Sequence, residues 1–139
     1  MLAAAADVLA VTLPWARYGD TSFTPDHFPG WPIYVVAAVL LHGCVAVMLL
    51  SRSARRPAAA LFTGLLAVGV AGFALWMASR YDESGLFFTS VVPMVMPMPG
   101  PGGAIAVVAA LASGTVAAVI GLRGVRQGDH GPAAEAVRT

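Results

Sequence analysis

The sequence predicts an all-α integral membrane protein, a four-transmembrane-helix bundle with both termini in the cytoplasm. Three observations predict it. Apolar residues make up 58% of the 139-residue chain and charged residues 11%, against about 25% charged in soluble domains. Three uninterrupted apolar segments reach the ~17–25 residues that a bilayer span requires. The arginines segregate to alternate loops, as the positive-inside rule demands.

The first segment, "LAAAADVLAVTLPWA" at Leu2–Ala16, is short and carries Asp7. An aspartate at mid-helix costs about 2.5–3.5 kcal/mol on the insertion scale, while each Leu or Val returns only about 0.3–0.6. The segment is therefore expected to insert as a hairpin with its successor. It lacks a basic leader and a small-residue cleavage site, so removal as a signal peptide is not expected. A translation start a few residues upstream would lengthen it. The following loop, Arg17–Pro32, is rich in turn formers, and Pro25, Pro29, Gly30 and Pro32 argue against a helix there.

Spans two to four are read at Ile33–Leu50, Ala58–Ser79 and Ala104–Leu122. A tight basic loop, "SRSARRP", joins the second to the third, and Pro57 suits a first helical turn. Ala106, Ala110, Gly114 and Ala118 on the fourth span, with Ala60, Gly64, Ala67 and Ala71 on the third, are expected to let these helices approach closely. Residues 1–123 thus form the membrane domain. The polar tail, 124–139, is expected to be a mobile cytoplasmic segment.

Orientation follows from charge. Arg52, Arg55, Arg56, Arg123, Arg126 and Arg138 fall on the side of the termini, and only Arg17 and Arg80 on the other. Every Trp and Tyr (Trp15, Tyr18, Trp31, Tyr34, Trp76, Tyr81) falls near an outer span end, which reads as an interfacial belt. The expected location is the bacterial inner (plasma) membrane. The absence of lysine and asparagine amid abundant Ala, Gly and Arg is the codon bias of a GC-rich genome such as an actinomycete's.

The second outer loop, Arg80–Gly103, is long and apolar. Such a run must lie on the bilayer, fold over the bundle or meet a partner. Phe87, Phe88, Val91, Val92, Met94, Met96 and Met98 are its candidate contact residues. In an extended strand the three methionines would form one thioether row. Soft thioethers select Cu(I), and His27 could add a fourth ligand. Methionine equally suits adaptable apolar contact, and that reading explains the phenylalanines and valines as well.

Asp7 and His42 are the ionisable side chains set deep in the spans, apart from the Cys44 thiol. Counting about 1.5 Å per residue from Trp15 and Ile33 places both about 12–14 Å below the outer boundary, within reach of each other. They read first as a polar clasp that holds a marginal helix, and second as a proton-binding pair. If Asp7 lies near the inner surface instead, the pair does not form. No catalytic set, metal motif or phosphate loop is present, no cofactor is implied, and a net charge of +1 gives no nucleic-acid footprint.

"LPWARYG" at 13–19 closes the short first span and precedes a Gly/Pro-rich outer loop. The pattern resembles small four-span membrane proteins of actinobacteria, including a family encoded near tryptophan-biosynthesis genes. The resemblance covers the first hairpin and implies architecture, not an activity. The expected function is that of a non-enzymatic accessory or scaffolding subunit, whose outer loops contact a protein partner or a second copy. The alternatives are a transport or copper-handling protein using Asp7 and His42 or the methionine row, and a small membrane enzyme acting on a lipid or quinone.

Overall fold

The computed structural model describes residues 2–50, 56–89 and 94–128, with side chains for 2–50, 57–89 and 94–123. The chain is predominantly helical. Helix α1 spans Leu2–Thr12, α2 Trp31–Leu50, α3 Arg56–Ala78 and α4 Pro101–Gly128. Helices α2, α3 and α4 are long and apolar enough to cross a membrane; α1 is a shorter apolar helix. At 11 residues it covers about 16 Å, half of a bilayer core of about 30 Å.

α1 stops before the expected Ala16. Pro14 pushes Leu13 out of the helical region, and the Trp15 N–H then turns to the carbonyl of Phe23 at 2.8 Å. α4 runs longer at both ends than the apolar segment. It starts on Pro101, whose missing N–H is harmless in a first turn, and continues through the expected tail boundary to Gly128.

The bundle is helical as expected, but the loops at one end are not all irregular. Three short strands, β1 (Ala16–Tyr18), β2 (Thr21–Phe23) and β3 (Pro97–Pro99), form an antiparallel sheet in the order β2-β1-β3. Gly19 (φ +60°) and Asp20 make the two-residue turn between β1 and β2. A positive φ at the first of two turn residues alone is the type II′ form that suits a right-twisted hairpin.

β3 has prolines at alternate positions, and its register explains them. Gly100 donates to the Trp15 carbonyl at 2.8 Å, so the N–H of Met98, two residues earlier, also points towards β1. Pro97 and Pro99 occupy the positions whose N–H would point away. The outer edge of the sheet is therefore without donors, a device that blocks further strand pairing.

The α3–α4 contact is built from small residues, as expected, and the buried positions on α4 do not all follow the expected strip. Ala106 and Ala110 are buried with Ser113 and Ala117, whereas Ala118 is exposed. Steps of four residues advance about 40° beyond a full turn, so a straight contact must alternate steps of four and three. α3 does the same through Ala60, Thr63, Ala67, Val70, Ala74 and Met77, the 3.5-residue spacing of left-handed helix packing. A Cβ on Gly114 would come within 2.8 Å of the Ala67 Cβ.

Large apolar side chains on the outward faces, among them Val36, Val39, Leu40, Leu61, Leu65 and Val68, are exposed. They suit contact with lipid acyl chains.

Gly102→Ala should destabilise the fold by about 1–3 kcal/mol through overpacking, because its Cβ would meet Trp15 Cδ1 at 2.3 Å. Gly43→Ala, with nothing within 4 Å of the new methyl, should be neutral or stabilise by up to about 1 kcal/mol. Thermal or denaturant unfolding in detergent micelles compares the two. Equal effects would show that the packing at Gly102 is not tight.

Candidate functional site

Two layers meet at the sheet-bearing end of the bundle: an aromatic cap and, beneath it, a polar cluster. The cap is organised by Trp15, which is completely buried. Its indole Nε1 donates to the carbonyl of Ala10 at 2.8 Å, one of the last carbonyls of α1 that have no partner within the helix. The next backbone units serve α4: Gly102, in its first turn, donates to the Pro14 carbonyl at 3.0 Å. The "LPW" corner thus satisfies the end of α1 and the start of α4 together.

The glycines opposite are required by proximity. A Cβ on Gly100 would lie 2.1 Å from the Pro14 carbonyl oxygen, and one on Gly103 2.6 Å from the Ala78 Cβ.

Tyr18, Phe23, Phe28, Phe87 and Phe88 complete the cap, with ring centroids 4.6–6.0 Å apart. The Tyr18 hydroxyl donates to the Tyr81 carbonyl at 3.0 Å, tying β1 to the exit of α3. Burial, and secondarily the Asp82 carboxylate, pushes the Tyr18 phenol above its ordinary range. On the rim, the Thr24 hydroxyl donates to Asp26 and holds that carboxyl below its usual range. Arg80 lies over the Trp76 ring at 4.9 Å and bonds Glu83 at 2.8 Å.

Phe87 and Phe88 therefore pack, half-buried, against the core. The interfacial belt is also smaller than expected. Trp15, Tyr18 and Tyr34 are buried in protein, while Trp31 and Trp76 remain partly exposed. Spacing along a span does not distinguish an aromatic ring that faces lipid from one that faces a neighbouring helix.

Beneath the cap lies Asp7, 6% exposed. The Tyr34 hydroxyl donates to its Oδ1 at 3.0 Å. Its Oδ2 lies 3.5 Å from His42 Nε2, inside ion-pair range but without a hydrogen bond. Ser113 Oγ lies 3.4 Å from the same Nε2 and donates to the Ala109 carbonyl at 3.0 Å. The His42 Nδ1 lies 2.8 Å from the Ala38 carbonyl.

The structure thus brings Asp7 and His42 together and adds Tyr34 and Ser113, which sequence reasoning missed. Tyr34 stood one turn inside α2 and read as a belt residue. Ser113 sits in an alanine-rich segment with no signal to set it apart. A groove of about 260 Å3 between α1 and α2, lined by Asp7, Tyr34, His42 and otherwise apolar residues, runs beside the cluster.

The methionine row is placed differently. Met98 lies in β3 opposite Arg17, while His27 follows β2 on the far side of β1 and packs against Phe23. The sheet therefore separates His27 from the methionines. Met94, Met96 and Met98 are all exposed, with Val95 beside them. Val91 and Val92 lie outside the described residues.

No protein-family model, curated protein or solved structure matches the chain. The functional reading rests on this geometry.

Tyr34→Phe should destabilise the protein by about 1–3 kcal/mol, since it leaves a buried carboxylate oxygen unpartnered. Asp7→Ala and His42→Ala should each lower stability, and their double mutant should lose less than the sum. Unfolding of the four proteins in one detergent measures the coupling. Strict additivity would mean that the two residues do not interact.

Proposed function

We propose that the chain is a non-enzymatic accessory or scaffolding protein of the bacterial plasma membrane. It crosses four times with both termini inside and presents its sheet-bearing cap to a protein partner outside. The observation that carries this reading is the exposure of Met94, Val95, Met96 and Met98 beside a cap in which Trp15, Tyr18, Phe23, Phe28, Phe87 and Phe88 are packed. An exposed apolar run anchored at Met98 by an internal sheet loses less conformational entropy on binding than a free loop, and methionine adapts to varied partners. The donor-free edge at Pro97 and Pro99 favours recognition through side chains over recognition by strand addition.

The arginine distribution supports the orientation. The likeness of the first hairpin to small four-span actinobacterial proteins supports the architecture.

In a Cys44→Ala background, an impermeant thiol reagent added outside should modify Ser22→Cys and Asp82→Cys but not Ser53→Cys. Modification of Ser53→Cys alone would invert the orientation.

For the partner, a photo-crosslinker at position 96 should capture one protein in stoichiometric yield from intact membranes. That complex should survive replacement of Met94, Met96 and Met98 by leucine, which keeps shape and apolarity, and should be lost on replacement by glutamate. Survival of the glutamate variant would remove the row from any docking role.

A further inference from the structure

The geometry points to a one-proton binding site at Asp7 and His42, closed towards the cap and reached from the membrane side. Hydrogen-bond direction gives the proton count. A carbonyl only accepts, so the His42 Nδ1 beside the Ala38 carbonyl carries a hydrogen. The Tyr34 hydroxyl already serves Oδ1. The atoms left facing each other are Asp7 Oδ2 and His42 Nε2, 3.5 Å apart, too close for a water molecule between them.

With no proton in that gap, two lone pairs oppose each other and the site carries an unpaired negative charge. With two, an O–H opposes an N–H and the site is positive. One proton gives either a neutral acid and neutral imidazole or a carboxylate and imidazolium. Both are electrically neutral, and burial favours neutrality. Ser113 Oγ, whose hydrogen goes to the Ala109 carbonyl, can accept from Nε2 in the second form.

Among the described residues, no other ionisable group faces the pair. α1 offers only Asp7, and α2 adds Tyr34 and His42; the Cys44 thiol, two residues on, points about 200° round α2 and does not line the groove. Ser113 is the polar contribution of α4, and α3 carries no ionisable side chain between Pro57 and Ala78.

Access is set by the surroundings. Above the site, Trp15 packs edge-on against Tyr34 at 5.5 Å and lies 6.0 Å from Phe28, and all three are buried. To the side lies the α1–α2 groove, bordered by Ala4, Val8, Val11, Val35 and Val39. His42 keeps 20% of its side chain exposed. A proton enters or leaves through this apolar groove, on a lipid-soluble donor or acceptor.

The test uses the wild-type protein in bilayers. Nitrogen-15 resonances of His42 and the carboxyl carbon-13 resonance of Asp7 report the two protonation states separately. Assignment comes from the dipolar contact between the two residues, so no variant needs to fold. One of Nε2 and Asp7 should carry a proton and the other should not. Finding both bare or both protonated overturns the one-proton site.

Access is tested by carbodiimide labelling, in which the carboxyl proton adds to a carbodiimide nitrogen and the carboxylate oxygen to its central carbon. A lipid-soluble carbodiimide should modify the Asp7 peptide, and a charged, water-soluble one should not. Modification by the charged reagent, or by neither, overturns entry from the membrane side.

Discussion

The fold depends on one buried indole. Two helix ends meet where Trp15 sits, and each brings backbone groups that a helix cannot satisfy within itself. Trp15 Nε1 takes the Ala10 carbonyl, and its own carbonyl and that of Pro14 take the N–H groups of Gly100 and Gly102. In a membrane such groups have no water to fall back on. The corner therefore fixes where α1 ends and α4 begins, and the sheet follows from the same backbone: β1 leaves Trp15 on one side, and β3 arrives at Gly100 on the other.

The polar cluster depends on that corner in turn. Tyr34 can hold the Asp7 carboxyl because Trp15 and Phe28 close over it. An aspartate on so short a helix is stabilised when it is both hydrogen-bonded and shielded. The cap supplies the shielding, and α2 supplies the bonds through Tyr34 and His42. The apolar packing of the cap and the chemistry beneath it are one arrangement.

Much of this was legible in the sequence and some was not. The long apolar segments are visible because hydropathy over twenty residues is a strong signal. The meeting of Asp7 and His42 followed from equal depth along neighbouring helices. The sheet was hidden, since three-residue strands are too short for a period-2 pattern, and a strand reading Pro-Met-Pro looks like a strand breaker. Its logic appears only when the partner strand shows which N–H positions are free. The alanine strip on α4 was half right: a four-residue spacing is locally correct and drifts over three turns. The inward turn of Phe87, Phe88 and Trp15 left no trace, because an apolar residue near a span end reads alike whether it faces lipid, protein or a partner.

The corner at Trp15 also imposes an order on biosynthesis. Asp7 finds Tyr34 and His42 on α2, but the body of α1 packs mainly against α4, the last helix to be made. The groups that answer Trp15 and Pro14 belong to Gly100 and Gly102, more than eighty residues downstream. Until those residues emerge, the Pro14 and Trp15 carbonyls beyond α1 lack their partners and β1 lacks one neighbour. The first helix to be made is therefore among the last to be locked, because its packing and the groups that answer its corner both belong to α4 and the residues just before it.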